Sequence, residues 1–84
     1  MQVEVSAERC PDGSWLVVTT YPHDQRDECY VIDREEAERV GRLIKQVAYL
    51  TDDEDLIGLI ATQSIDPDTS RDLLRGLKIM KGMS

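Results

Sequence analysis

The chain has 84 residues, 40% of them hydrophobic and 32% charged, with a formal net charge of −7 and no Phe. A chain this short buries only roughly 60% of its unfolded surface, which excludes a second core or a deep enclosed substrate chamber, so a single domain over residues 1–84 is expected. The acidic balance repels phosphate backbones at long range and favours a protein partner with a basic surface over nucleic acid.

No basic segment is followed by an apolar run, and nowhere do about 18 apolar residues run together, so neither export nor membrane insertion is encoded and a cytoplasmic location is the expectation. Val3, Val5 and Ala7 alternate with Gln2, Glu4, Ser6 and Glu8, the period-two pattern of a strand with one buried face. Cys10-Pro11-Asp12-Gly13 closes a three-residue hairpin loop, because Pro presets φ, Asp suits the next turn position and Gly accepts positive φ. That loop pairs Cys10 with Ser14 and sets Ala7 opposite Val17, Val5 opposite Thr19 and Val3 opposite Tyr21. Residues 14–21 are β-branched and aromatic with apolar side chains on both faces, which marks the central strand of three, with Trp15 as an end plug of the core.

Pro22 to Glu28 reads as a polar connection containing His23, an isolated surface histidine, and Cys29 to Ile32 as the third strand. In a meander this leaves Cys10 and Cys29 at opposite ends of the sheet, roughly 15 to 20 Å apart at about 3.3 Å per residue. A disulfide needs Cα atoms within about 7 Å, so two thiols are expected.

Asp33 starts a helix over about 34–50, its carboxylate accepting from orphan amides while Glu36 completes a capping-box-like pair. Ala37, Val40, Leu43, Ile44, Val47 and Ala48 fall on one arc, and Glu35, Glu38, Arg39, Arg42, Lys45 and Gln46 on the other. Glu35 with Arg39 and Glu38 with Arg42 stand in the favourable i,i+4 order. Tyr49 lies near the middle of the polar arc. The turn into the next helix is expected to fold back over it; left uncovered, it is an interface anchor.

Asp52, Asp53, Glu54 and Asp55 lie where a second helix begins, and acids there are stabilised by free amides and the macrodipole. The spacing lacks the alternating oxygens, central Gly and distal Glu of a calcium loop, so no metal is assigned. Leu56, Ile57, Leu59 and Ile60 spread over more than half the circumference, so this helix is either sandwiched or an interface. Asp66 caps a third helix with Pro67 at its first position, running to about Met80. The fold class is therefore α+β, a three-stranded antiparallel meander followed by three helices (βββααα), the long first helix packed on the sheet.

Charge is unevenly placed: residues 1–70 carry 16 acids and 6 bases, residues 71–84 only Asp72 against Arg71, Arg75, Lys78 and Lys81. Ile60-Ala61, a break through Ser64-Ile65-Asp66, then Thr69 to Leu74 resembles a helix-turn-helix over 53–80, which would make Arg71, Arg75 and Lys78 a nucleic-acid face. Its turn is one residue short and lacks the usual Gly, and Asp66, Asp68 and Asp72 would meet phosphates at the end that enters the groove.

No carboxylate stands in an apolar context that would raise its pKa, His23 has no nucleophile at a recognisable spacing, and there is no Gly-rich phosphate loop, so no enzyme, catalytic residue or cofactor is assigned. What remains is a binding protein. In size, acidity and lack of motifs it resembles small phage-encoded anti-defence proteins such as anti-CRISPRs, some of which mimic nucleic-acid charge. The analogy implies an inhibitor that presents Glu35, Glu38, Asp52, Asp53, Glu54 and Asp55, with Tyr49, to a basic surface. The alternatives are a small DNA-binding regulator and a self-associating structural subunit, a homodimer through the second and third helices.

Overall fold

The computed structural model describes residues 1–63 and 65–82. Three antiparallel strands, β1 (Glu4–Arg9), β2 (Trp15–Thr20) and β3 (Arg26–Val31), form one sheet in the order β1-β2-β3. Three helices follow, α1 (Arg34–Leu50), α2 (Glu54–Gln63) and α3 (Pro67–Met80).

The first hairpin forms by the turn chemistry its sequence encodes. Cys10 N donates to Ser14 O at 2.8 Å, Gly13 N donates to Cys10 O at 3.0 Å, and Gly13 takes φ 92. Asp12 accepts from both the backbone N and the hydroxyl of Ser14, and those hydrogen bonds, the side-chain one foremost, hold its carboxyl below the usual range. Ala7 stands opposite Val17 and Val5 opposite Thr19, the expected register.

The second connection is shorter than the sequence suggests. Tyr21 N donates to Gln25 O and Asp24 N to Tyr21 O, with Asp24 at φ 68. Tyr21-Pro22-His23-Asp24-Gln25 thus repeats the design of Cys10-Pro11-Asp12-Gly13-Ser14, with Pro at the first loop position and Asp, which tolerates the left-handed region, where the first loop has Gly. β3 therefore begins at Arg26, and Arg26, Asp27 and Glu28 belong to the strand rather than to a loop. Cys29 consequently pairs with Val17 in mid-sheet and is buried, instead of lying at the far end. Its Cα is roughly 14 Å from that of Cys10 by strand rise and spacing, and both residues are thiols.

One face of the sheet is covered. Val17, Thr19 and Tyr21 of β2 and its extension join Cys29 and Val31 beneath Val40, Ile44, Val47 and Ala48 of α1 and Ile57, Ile60 and Ala61 of α2. α1 lies over β1 and β2 and α2 over β3, while α3 packs along α1 with its backbone away from both the sheet and α2. On the opposite face Leu16 and Val18 are half-buried and Tyr30 and Ile32 exposed. The result is a slab of 43 × 30 × 15 Å.

Asp33 caps α1 by accepting from Glu36 N at 2.9 Å. The Glu36 side chain does not return to Asp33 as a capping box would; it receives Arg39, whose guanidinium also donates to Ile65 O at 2.8 Å. Arg34 pairs with Glu38 at 3.2 Å. These pairings replace the expected Glu35–Arg39 and Glu38–Arg42 pairs, because the carbonyl of Ile65 draws Arg39 to the flank of α1 where the α2–α3 connection passes. Among the described residues no helix is long and apolar enough to cross a membrane.

Candidate functional site

The end of the molecule formed by the β2–β3 turn and the start of α2 gathers polar groups from segments some 30 residues apart in sequence. Tyr21 is the last core-facing residue of the second strand's run, and its hydroxyl donates to Asp27 Oδ2 at 2.5 Å. Burial, and then the bond to Asp27, pushes the Tyr21 phenol well above its ordinary range. The His23 ring stacks on Tyr21 with centroids 5.7 Å apart and planes within 4°, and its Nε2 meets Glu54 Oε1. His23 is thus a tie between turn and helix, not the isolated surface histidine expected.

α2 approaches β3 closely here because Gly58 has no side chain: a Cβ would stand 3.2 Å from Asp27 Oδ2. A polar cleft of about 420 Å³ opens beside this contact, lined by Tyr21, Gln25, Asp27, Glu54, Asp55 and Thr62 among others. Asp24 sits at the tip of the adjoining turn. The Thr62 hydroxyl is turned back onto Gly58 O at 2.7 Å. Among the described residues no group of three His, Cys, Asp or Glu is arranged to hold a metal ion. Chemically, the end offers carboxylates to cationic groups.

The sequence-derived acidic residues divide between duties. Asp53 caps α2, accepting from Asp55 N and Leu56 N. Asp52 binds the Met1 ammonium at 2.7 Å, and this hydrogen bond and charge hold its carboxyl low. Glu54 meets His23, and Asp55 is exposed at the cleft. Glu35 and Glu38 lie on the exposed face of α1, separate from this end, with Glu38 engaged by Arg34. The structure thus brings Glu54 and Asp55 together with Asp27, while Asp24, at the tip of the turn, lines a separate cleft with Gln2, Val3 and Glu4; sequence reasoning left both aspartates in a polar connection. The repeated Pro-x-turn pattern at 21–25 was the signal that locates them.

Tyr49 is 69% exposed, so the turn into α2 does not cover it. Lys81 lies over its ring, Nζ 5.2 Å from the centroid, and donates to Tyr49 O at 2.9 Å. Ile57 and Ile60 are fully buried between β3 and α1, which sandwiches α2 and leaves only Leu59 of its large apolar residues exposed. Arg71, Arg75 and Lys78 are exposed along α3. Because α3 packs on α1 and not on α2, the pair does not form the packed unit a helix-turn-helix needs; Ser64, in the break between them, lies outside the described residues.

No protein-family model matches the chain, and no curated protein or solved structure matches it significantly.

Proposed function

We propose that this chain is a small acidic, non-enzymatic module that binds the basic surface of a partner protein through the end carrying Asp24, Asp27, Glu54 and Asp55. The observation that supports this most is the convergence of Asp27 from the start of β3 with Glu54 and Asp55 from the first turn of α2 around one polar cleft, with Asp24 at the tip of the adjoining turn and His23 tied to Glu54. Carboxylates held on a hairpin and a helix start are positioned before binding, so the cost of ordering them is already met by folding. Their field steers a cationic surface toward the cleft, and contact there excludes any polyanion that competes for it. In this reading the partner's basic surface is one that handles nucleic acid, and the module inhibits it by charge mimicry, in the manner of phage anti-defence proteins.

The test is kinetic. A partner recovered by affinity purification and mass spectrometry is immobilised, and association is followed at low and at physiological salt. Asp55→Lys combined with Asp24→Asn, which keeps a residue tolerant of φ 68 at the turn, slows association about tenfold or more while dissociation changes little. Duplex DNA competes for the same partner. Kinetics unchanged in the folded double variant, or a partner complex indifferent to DNA, overturn the reading.

A further inference from the structure

We propose that the groove between α1 and α3 is a second docking site, which takes an acidic amphipathic segment of a partner protein. The groove encloses about 270 Å³ between Lys45, Gln46, Tyr49 and Leu50 on α1 and Leu74 and Lys78 on α3, and its walls are almost entirely carbon. It arises because α3 lies along α1 with Leu77 buried and Leu74 only half-covered, so the two ridges diverge beside Tyr49.

The charge around this groove runs opposite to the rest of the molecule. Lys45 and Lys78 form its walls, and no carboxylate lines it. Arg71 and Arg75 lie on the same face of α3 as Lys78, at i−7 and i−3. Lys81 adds a third cation at the groove, laid over the Tyr49 ring. In a chain with 10 basic residues against 17 acids, Lys45, Lys78 and Lys81 thus meet at one apolar slot. Lys78 therefore belongs to a surface with an apolar floor, which a phosphate backbone has no means to fill.

An amphipathic helix or extended segment fits these features: its apolar side chains enter the slot against Leu50, Leu74 and the Tyr49 ring, and its carboxylates meet Lys45 and Lys78 on either wall. The ammonium of Lys81 holds the Tyr49 ring before any ligand arrives, which reduces the ordering needed at the anchor. This surface is separate from the carboxylate end, so the module presents two faces of opposite sign.

The probe is a fluorescein-labelled 18-residue peptide of Leu and Glu with Leu at i, i+3, i+4 and i+7, measured by anisotropy against the whole chain at low salt. Saturable binding is expected, with a version carrying Lys in place of Glu binding at least about tenfold more weakly. Lys45→Glu with Lys78→Glu changes two exposed side chains and leaves the fold intact by circular dichroism; it weakens the Glu peptide at least about tenfold, as does Tyr49→Ala, while Asp55→Lys leaves it unchanged. No saturable binding, equal binding of both peptides, or binding indifferent to both groove variants overturns the proposal. So does sedimentation showing a dimer that the Lys45→Glu/Lys78→Glu variant dissolves, which would make a second copy the occupant, or tighter binding of duplex DNA or of vesicles with one-third anionic lipid than of the Glu peptide.

Discussion

The hydroxyl of Tyr21 and the carboxylate of Asp27 meet at 2.5 Å across a turn whose backbone repeats that of the preceding hairpin. The bond joins the end of the buried run of β2 to the polar cleft, so removal of the hydroxyl acts on stability and on the candidate site together. Tyr21→Phe leaves Asp27 facing the α2 backbone without its donor and lowers unfolding free energy by about 1.5 to 3 kcal/mol, the range for hydrogen bonds to charged groups. The folded protein raises the Tyr21 pKa above its ordinary value of 10.0, so the unfolded chain releases this proton first as pH rises. The stabilisation is therefore fully present below pH 10 and declines above it. Urea titrations of both proteins at pH 8 and pH 11 check this: the difference between them narrows at the higher pH, and a constant difference would contradict the assignment.

Thr19 is wholly buried on the core face of β2, and its hydroxyl has no hydrogen-bond partner. A buried hydroxyl left unpaired carries its full desolvation cost, so the near-isosteric Thr19→Val is expected to stabilise the fold by about 1 kcal/mol. For a domain of this size that corresponds to a rise in Tm of roughly 4 to 8 °C. A lower Tm in the variant would mean that the hydroxyl is engaged in solution.

What the sequence disclosed follows from which interactions are local. The Cys10–Ser14 turn, the Asp33 cap and the apolar arc of α1 are each specified within a few residues, and the structure reproduces them. The start of β3 was hidden because Arg26, Asp27 and Glu28 are poor strand formers by composition; they enter the strand because Pro22 and Asp24 close a tight turn and Tyr21 supplies a partner for Asp27. At the candidate site, Glu54 and Asp55 were visible as a charge run, whereas Asp24, Asp27 and His23 acquired significance only once the turn was placed against α2. The exposure of Tyr49 was also beyond local reading, since it depends on α3 docking along α1 and leaving that ring to Lys81.

The basic face of α3 invites a test against nucleic acid. With net charge −7, Asp66 capping the helix at the end that would enter a groove, and α2 not packed on α3, the chain is expected to bind a mixed-sequence duplex no more tightly than a nonspecific binder. Anisotropy at physiological salt should give a dissociation constant weaker than about 1 µM. A tighter value that rises with Arg71→Ala and Arg75→Ala would establish α3 as a nucleic-acid reader.

Arg39 holds the α2–α3 connection to α1. Its guanidinium reaches Glu36 and Ile65 O together, and the side chain is only 24% exposed. A lysine carries the charge but not the planar fork, so it cannot keep both partners in the same geometry. Arg39→Lys is therefore expected to retain the Glu36 contact, lose the Ile65 carbonyl and cost about 1 kcal/mol, with Arg39→Ala costing more because aliphatic packing is lost as well. Hydrogen exchange locates the effect: the amides of Thr69 and Ser70, which close the first turn of α3 onto Asp66, should exchange faster in Arg39→Lys while those of the β1–β2 ladder keep their protection. Uniform acceleration across the sheet would show instead that Arg39 supports global stability and that α3 opens only with the whole fold.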